Sequence, residues 1–219
     1  MIHASRDLTQ QARRLLKRYR RELEDYIRFD PRFAHSLQPL PLPEIIPSKL
    51  VEEMLLVSDR AGVGPMAAVA GAIAQFVGRG LRRLSQEVII ENGGDIYIDS
   101  HREHTIGLYA GKRAGHRFHL GLKIDPRETP LGICTSSGID GHSLSLGRAD
   151  AVVVLADSAA YADAAATRLA NSIQKPDDIP RVLKIGRNLH DIRGILIVIE
   201  DQLALWGSVQ LVEIPQNTG

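Results

Sequence analysis

Apolar residues recur at helical spacing close to the start of the chain. Leu15, Leu16, Tyr19, Leu23, Tyr26 and Ile27 share one face of a helix expected over residues 6–29. The prolines Pro39, Pro41, Pro43 and Pro47 then make residues 38–47 an extended connection, because proline cannot continue a helix. A second helix is expected from about Pro47 to Arg60, with Ser48 near its start and Gly62 at its exit. A third, Gly64 to Leu84, is small-sided through Ala67, Ala68, Ala70, Gly71, Ala72 and Ala74. Small side chains allow close approach, either of a sheet or of a flat ligand.

The period then changes. Val88 to Ile90 and Ile96 to Ile98 read as strands around an Asn-Gly-Gly-Asp turn. Thr105 to Ala110, Arg117 to Lys123 and Leu131 to Thr135 are further strand candidates. The almost wholly apolar run Ala149 to Ala156 predicts a buried strand. An alanine-rich helix over Ser158 to Ile173 follows, then a helix over Ile179 to Leu189 and strands over Gly194 to Ile199 and Gly207 to Ile214. Helices first, then strands with interspersed helices, argue an α+β (mixed α/β) fold with N-terminal helices packed on a mixed sheet core. A single domain over 1–219 is expected, with 1–46 as a helical extension and proline-rich connection.

Composition narrows the functional classes. The formal net charge is +1, so no global pull toward nucleic acid is implied. The basic run Arg13, Arg14, Lys17, Arg18, Arg20 and Arg21 is read as a solvated helix face balanced by Glu22, Glu24 and Asp25, with anion binding as the alternative. Cys134 is the single cysteine, so no disulfide can form within the chain and a reducing compartment is expected. No apolar run has the length to span a bilayer, and the charged N-terminus does not read as a signal peptide. A cytoplasmic protein is therefore expected, with no membrane partner. A symmetric homodimer is the general default for soluble oligomers.

Three segments carry candidate chemistry. In Asn92-Gly93-Gly94-Asp95, two glycines permit a tight reversal and let backbone N–H groups face a ligand, although an ordinary hairpin turn reads the same way. Cys134 to Ser143 gathers hydroxyls, glycines, Asp140 and His142, which offers hydrogen-bond donors and one general acid or base. Asp163 and Thr167 stand four residues apart on one helix face, a carboxylate and a hydroxyl suited to an oxygen-seeking cation such as Mg²⁺. The alternative for that pair is a solvated Asp163 and a Thr167 bonded to its own helix. No zinc-ligand spacing, P-loop or complete GxGxxG is present. Ser136, Asp140 and His142 lie too close together to read as a hydrolytic triad, and Cys134, ending an apolar strand, reads as buried and inert.

Taken in order, the segments Val63-Gly64-Pro65-Met66-Ala67-Ala68-Val69-Ala70-Gly71, Glu91 to Asp95, Thr135 to Gly138, Gly141-His142-Ser143 and Ala162 to Thr167 resemble the ApbE-like superfamily, whose best-known members are Mg²⁺-dependent FAD:protein FMN transferases. The resemblance is to a compact branch and runs from about Arg21 to Ile199. It implies Mg²⁺ ligation by Asp163, Thr167 and the backbone carbonyl of Ala74. It also implies that Asn92, Gly93, Gly94 and Asp95 lie against a flavin dinucleotide, with Thr135, Ser136, Ser137 and Gly138 near the ligand. His142 would occupy the phosphoryl-transfer site. The implied cofactors are Mg²⁺ and FAD, the implied ligand is flavin-like and phosphorylated, and the implied partner is an acceptor protein carrying a Thr or Ser. After His142 the residues Ser143-Leu144-Ser145-Leu146-Gly147 depart from the Ile-x-Asp-Pro-x-Thr-Gly pattern of the transferases. Two alternatives use the same scaffold: a flavin- or nucleotide-binding protein without catalysis, and an enzyme of anaerobic sulfur metabolism, assimilating sulfide toward homocysteine, for which Cys134 would be the sulfur carrier.

Overall fold

The computed structural model describes residues 1–45, 48–108, 120–138 and 147–214. Its centre is a seven-stranded antiparallel sheet in the order β1-β2-β3-β6-β7-β8-β9. The strands are β1 (Ile2–Ala4), β2 (Val88–Asn92), β3 (Asp95–Asp99), β6 (Leu131–Ser136), β7 (Ala151–Ala156), β8 (Ile192–Ile199) and β9 (Gln202–Gly207). A second antiparallel sheet has the order β10-β5-β4, built from β4 (His104–Gly107), β5 (Leu120–Ile124) and β10 (Leu211–Glu213). The α+β expectation holds, with the sheet antiparallel throughout.

Strand β7 shows why its sequence is apolar on every residue. Val152, Val154 and Ala156 join the core beneath the helices. Ala151, Val153 and Leu155 join a second core with Leu122 and Ile124 of the small sheet. Successive side chains leave a strand on opposite faces, so a strand covered on both sides needs no polar positions. The large sheet is thus the middle of three layers, with helices on one face and the small sheet on the other.

The helical layer contains α1 (Thr9–Phe29), α3 (Lys49–Ala61), α4 (Val69–Arg82) and α5 (Ala159–Asn171), with the short α2 (Arg32–His35) after α1 and α6 (Ile179–Arg187) after α5. Helix α3 starts as expected: the Ser48 hydroxyl accepts from the Val51 N–H at 3.3 Å, and Gly62 ends it with φ 71°. On α1 the expected apolar face is buried through Leu23 and Tyr26, joined by Ala12, whereas Leu16 is exposed. Its basic residues lie on the exposed face, where Arg18 pairs with Glu22 and Arg20 with Glu24. No single described helix is long and apolar enough to cross a membrane.

Several boundaries differ from the sequence reading. The expected helix Gly64 to Leu84 opens as a 3-10 turn over Pro65–Ala68 before α4 begins. The first residues form β1, which pairs with β2 through Ile2↔Ile90. At the other end the expected strands Gly194 to Ile199 and Gly207 to Ile214 are three. Strands β8 and β9 form a hairpin closed between Ile199 and Gln202, so Trp206 lies in a strand the sequence reading left out. The two-residue turn is Glu200-Asp201, with Glu200 at φ 55°, a conformation usually given to glycine or asparagine. The buried Asp150 carboxylate supports it by accepting the Glu200 N–H at 2.6 Å. Residues 109–119 hold parts of two other expected strands and lie outside the described residues.

Candidate functional site

The site begins with the turn between β2 and β3. Asn92 pairs directly with Asp95 across the hairpin. Between them Gly93 and Gly94 have φ 67° and 103°, so both central residues need positive φ, as a type I′ hairpin turn requires. Strand alternation sets which way the flanking side chains face. Val88 and Ile90 of β2 and Tyr97 of β3 belong to the core under the helices, so Asn92 and Asp95, in phase with them, also face the helices. The Asn92 amide accordingly donates to the Ala70 carbonyl at 3.1 Å, tying the turn to the first turn of α4.

Asp95 meets the next strand at Cys134 and Thr135. The Thr135 N–H donates to Asp95 Oδ1 at 3.2 Å, and the Cys134 thiol stands close to this carboxyl. Asp95 is only 6% exposed. Burial pushes its pKa up to about 7, against the opposing pull of the Cys134 thiol and the Thr135 N–H.

Asp163 reaches the same place from α5. The residue keeps some solvent-accessible surface, while its carboxyl is ringed by protein atoms. The Gly71 N–H donates to its Oδ2 at 2.9 Å, and the Ala70 N–H also supports the carboxyl. Burial, followed by repulsion from Asp95, holds its pKa well above the ordinary carboxylate range. Gly71 is obligatory for this approach. An added Cβ would overlap the Ala159 carbonyl oxygen and stand 2.8 Å from Asp163 Cβ.

The result is two desolvated carboxyls from different layers of the fold acting on one another, with no Lys or Arg of the described residues among the groups that shift them. Such a pair calls for a proton or an oxygen-seeking cation. Thr167 lies one turn along α5 from Asp163, and its hydroxyl bonds no described group, its own helix included. The donor chemistry therefore fits Mg²⁺, which takes carboxylate and hydroxyl oxygens. No group of three or more His, Cys, Asp or Glu among the described residues is arranged to hold a metal, so such a cation would need hydroxyl, carbonyl or water ligands as well.

Other sequence candidates fall into place unevenly. Ala74 is fully buried one turn further into α4, and the peptide groups that meet Asp163 are those of Ala70 and Gly71. Ser136 is buried near the end of β6, Thr135 is part-exposed beside it, and Ser137 and Gly138 follow. Gly138 is held by its N–H to the Ala149 carbonyl at 2.9 Å. His142, with Asp140, lies outside the described residues, in the segment 139–146 that Gly138 and Gly147 bracket.

Sequence reasoning missed the partnership of Asp95 with Asp163 and the polar network behind it. Gln75 is wholly buried on α4, and its Oε1 accepts the Ala159 N–H at 2.6 Å. Its Nε2 donates to Glu53 at 3.2 Å, and the Ser158 hydroxyl donates to the same Glu53 oxygen at 3.1 Å. The signal was present: Gln75 is the one polar side chain in the stretch Val69 to Gly78.

A family model described as "AbpE bacteria" matches residues 1–189, and the chain belongs to that family. A UPF0280 protein of Methanothermobacter thermautotrophicus is 41% identical over 199 residues, covering 87% of this chain and 75% of the relative. UPF0280 proteins of Methanosarcina acetivorans and Methanocaldococcus jannaschii are 35% and 38% identical, over 90% of this chain in each case and 78% and 82% of the relatives. Among solved structures, the ApbE protein of Thermotoga maritima matches with a TM-score of 0.50 at 19% identity, over 67% of this chain and 51% of that chain. The chain thus spans about half of that structure, and the likeness is one of fold.

Proposed function

We propose that this chain binds Mg²⁺ together with a flavin dinucleotide or similar phosphorylated ligand, and that it transfers FMN from FAD to a Thr or Ser of an acceptor protein. The observation that carries the reading is the meeting of Asp95 and Asp163 with no Lys or Arg of the described residues shifting either carboxyl. Family membership supports it, because the five segments that carry the resemblance include both carboxylates.

Bound Mg²⁺ would supply neutralisation of pyrophosphate charge, where positioning and electrostatics carry most of phosphoryl transfer. Asp163 and Asp95 would hold it through their carboxylates and Thr167 through its hydroxyl, with the Ala74 carbonyl a further ligand by resemblance. The Ala70 and Gly71 N–H groups keep Asp163 aimed. The turn Asn92 to Asp95 and the segment Thr135 to Gly138 would orient the ligand through backbone N–H groups and hydroxyls. His142 would take the proton from the acceptor hydroxyl. Cys134 is wholly buried, and burial pushes its thiol well above the usual range, so it offers no support for a sulfur carrier.

The test mixes purified protein with FAD and Mg²⁺ and follows flavin fluorescence, AMP release and covalent FMN on an added acceptor. Quenching with AMP release and labelled acceptor supports transfer. Quenching without AMP leaves a binding protein on the same scaffold, and no quenching at all removes both flavin readings.

A further inference from the structure

The network behind the carboxyl pair has the geometry of a register clamp. Gly71 and Gln75 lie one turn apart on one face of α4, and Ala159 and Asp163 lie one turn apart on α5. Gly71 bonds Asp163, and Gln75 bonds Ala159. Two contacts one turn apart on each helix fix both the slide and the rotation of α5 against α4. The N-terminal N–H of a helix has no partner within the helix, and here a wholly buried amide supplies one.

The amide is itself held from a third helix. Glu53 of α3 accepts from Gln75 Nε2, and also from the Ser158 hydroxyl, which in turn caps α5 by accepting the Tyr161 N–H at 3.2 Å. Glu53, Gln75 and Ser158 thus brace the first turn of α5 from two helices at once. Asp163 is the next turn, so its carboxyl goes where that brace puts it.

We propose that Gln75 is a positioning residue for the cation site, setting the reach of Asp163 toward the first turn of α4, with Glu53 holding Gln75 in its bonding orientation. This rests on the cation reading given above. Gln75 touches neither ligand nor cation and acts through α5.

Mn²⁺ is the probe, read by the loss of its free-ion paramagnetic resonance signal on binding to the full chain, well below each variant's melting temperature. Gln75→Leu should weaken Mn²⁺ binding by about tenfold or more, the range for partners that orient a metal ligand. Gln75→Glu alone should also weaken it, because two carboxylates would face each other where an amide met one. Adding Glu53→Gln to Gln75→Glu reverses the polarity of the pair and restores the bond between them. The new carboxylate accepts from Ala159 and from the amide nitrogen at 53, whose second N–H donates to the Ser158 hydroxyl where the Glu53 oxygen accepted from it. That double variant should recover wild-type affinity, which a general loss of packing would not predict. Wild-type affinity in Gln75→Leu overturns the proposal. If Gln75→Leu does not fold, an unrecovered double variant overturns it instead. An Asp163→Asn control separates the two claims: undiminished binding there, or no binding by the wild type, removes the cation reading and this inference with it. Binding that needs Asp163 but ignores Gln75 removes only the inference.

Discussion

Gly71 donates its backbone N–H to the Asp163 carboxylate across 2.9 Å, and it can do so only because it has no side chain. The helices α4 and α5 come together at that residue. A methyl group there would meet the Ala159 backbone, which cannot swing aside as a flexible side chain could. Gly71→Ala should therefore part the two helices and lower stability by about 1–3 kcal/mol, the usual cost of overpacking. Urea denaturation measures it. A variant as stable as wild type would show that α5 has room to shift.

Asp163→Asn tests the charge at the same contact. The amide oxygen can still accept the Gly71 N–H, while the buried carboxylate is removed. Without metal at pH 8 the variant should be at least as stable as wild type, since an unpaired buried charge is costly. The rise in melting temperature that Mg²⁺ gives the wild type should vanish. A full rise in Asp163→Asn would take Asp163 out of the site.

The Asn-Gly-Gly-Asp turn was legible because its physics is local: two glycines after a strand announce positive φ before any fold is known. Strand β7 was legible for a related reason, since only burial on both faces tolerates six apolar residues in a row. Strand β9 was not, because its turn, Glu200-Asp201, draws its support from Asp150, fifty residues away in the chain. The carboxyl pair is the same case on a larger scale. Asp95 read as a turn residue and Asp163 as half of a helical metal pair, and nothing local joins a strand to a helix that follows two further strands of the sheet. Gln75 was overlooked because a lone glutamine gains meaning only from the helix end it meets.

The turn can be tested by stability alone. A Cβ on Gly93 or Gly94 would meet nothing within 4 Å, so any penalty there is backbone strain. At Gly93, φ 67° lies in the left-handed region that asparagine tolerates. Gly93→Asn should be close to neutral, whereas Gly93→Val should cost about 1–2 kcal/mol or more. Equal losses for both, measured by urea titration, would contradict the turn geometry.

Cys134 should behave as a core residue. Its thiol is wholly buried, donates to the Ala159 carbonyl at 3.2 Å, and is pushed well above the ordinary thiol range by burial and then by Asp95. The folded protein should react with a thiol reagent such as dithionitrobenzoate only at its unfolding rate, and at once in denaturant. Rapid reaction of the native protein would revive the sulfur-carrier alternative.

The pH dependence of stability follows from the pair. Asp95 titrates at about 7 in the folded protein against about 4 in the unfolded chain, and Asp163 is raised in the same direction. Between those values the folded state holds protons that the unfolded state has released. The Asp95 share of stability must then fall as pH rises from about 4 to about 7 and level off above, and the Asp163 share falls with rising pH in the same sense. The Asp95 share of that fall is at most about 4 kcal/mol, three pKa steps fully realised. Asp95→Asn should flatten the fall, keeping the Thr135 N–H satisfied through its amide oxygen. Mg²⁺ acts in the opposite sense, because a cation needs ionised carboxylates and so competes with the protons. Its stabilising effect should be small at pH 5 and grow through pH 7. Melting curves across this range, with and without Mg²⁺, carry the test: a Mg²⁺ effect that is constant from pH 5 to 8 would mean that the cation binds away from Asp95 and Asp163.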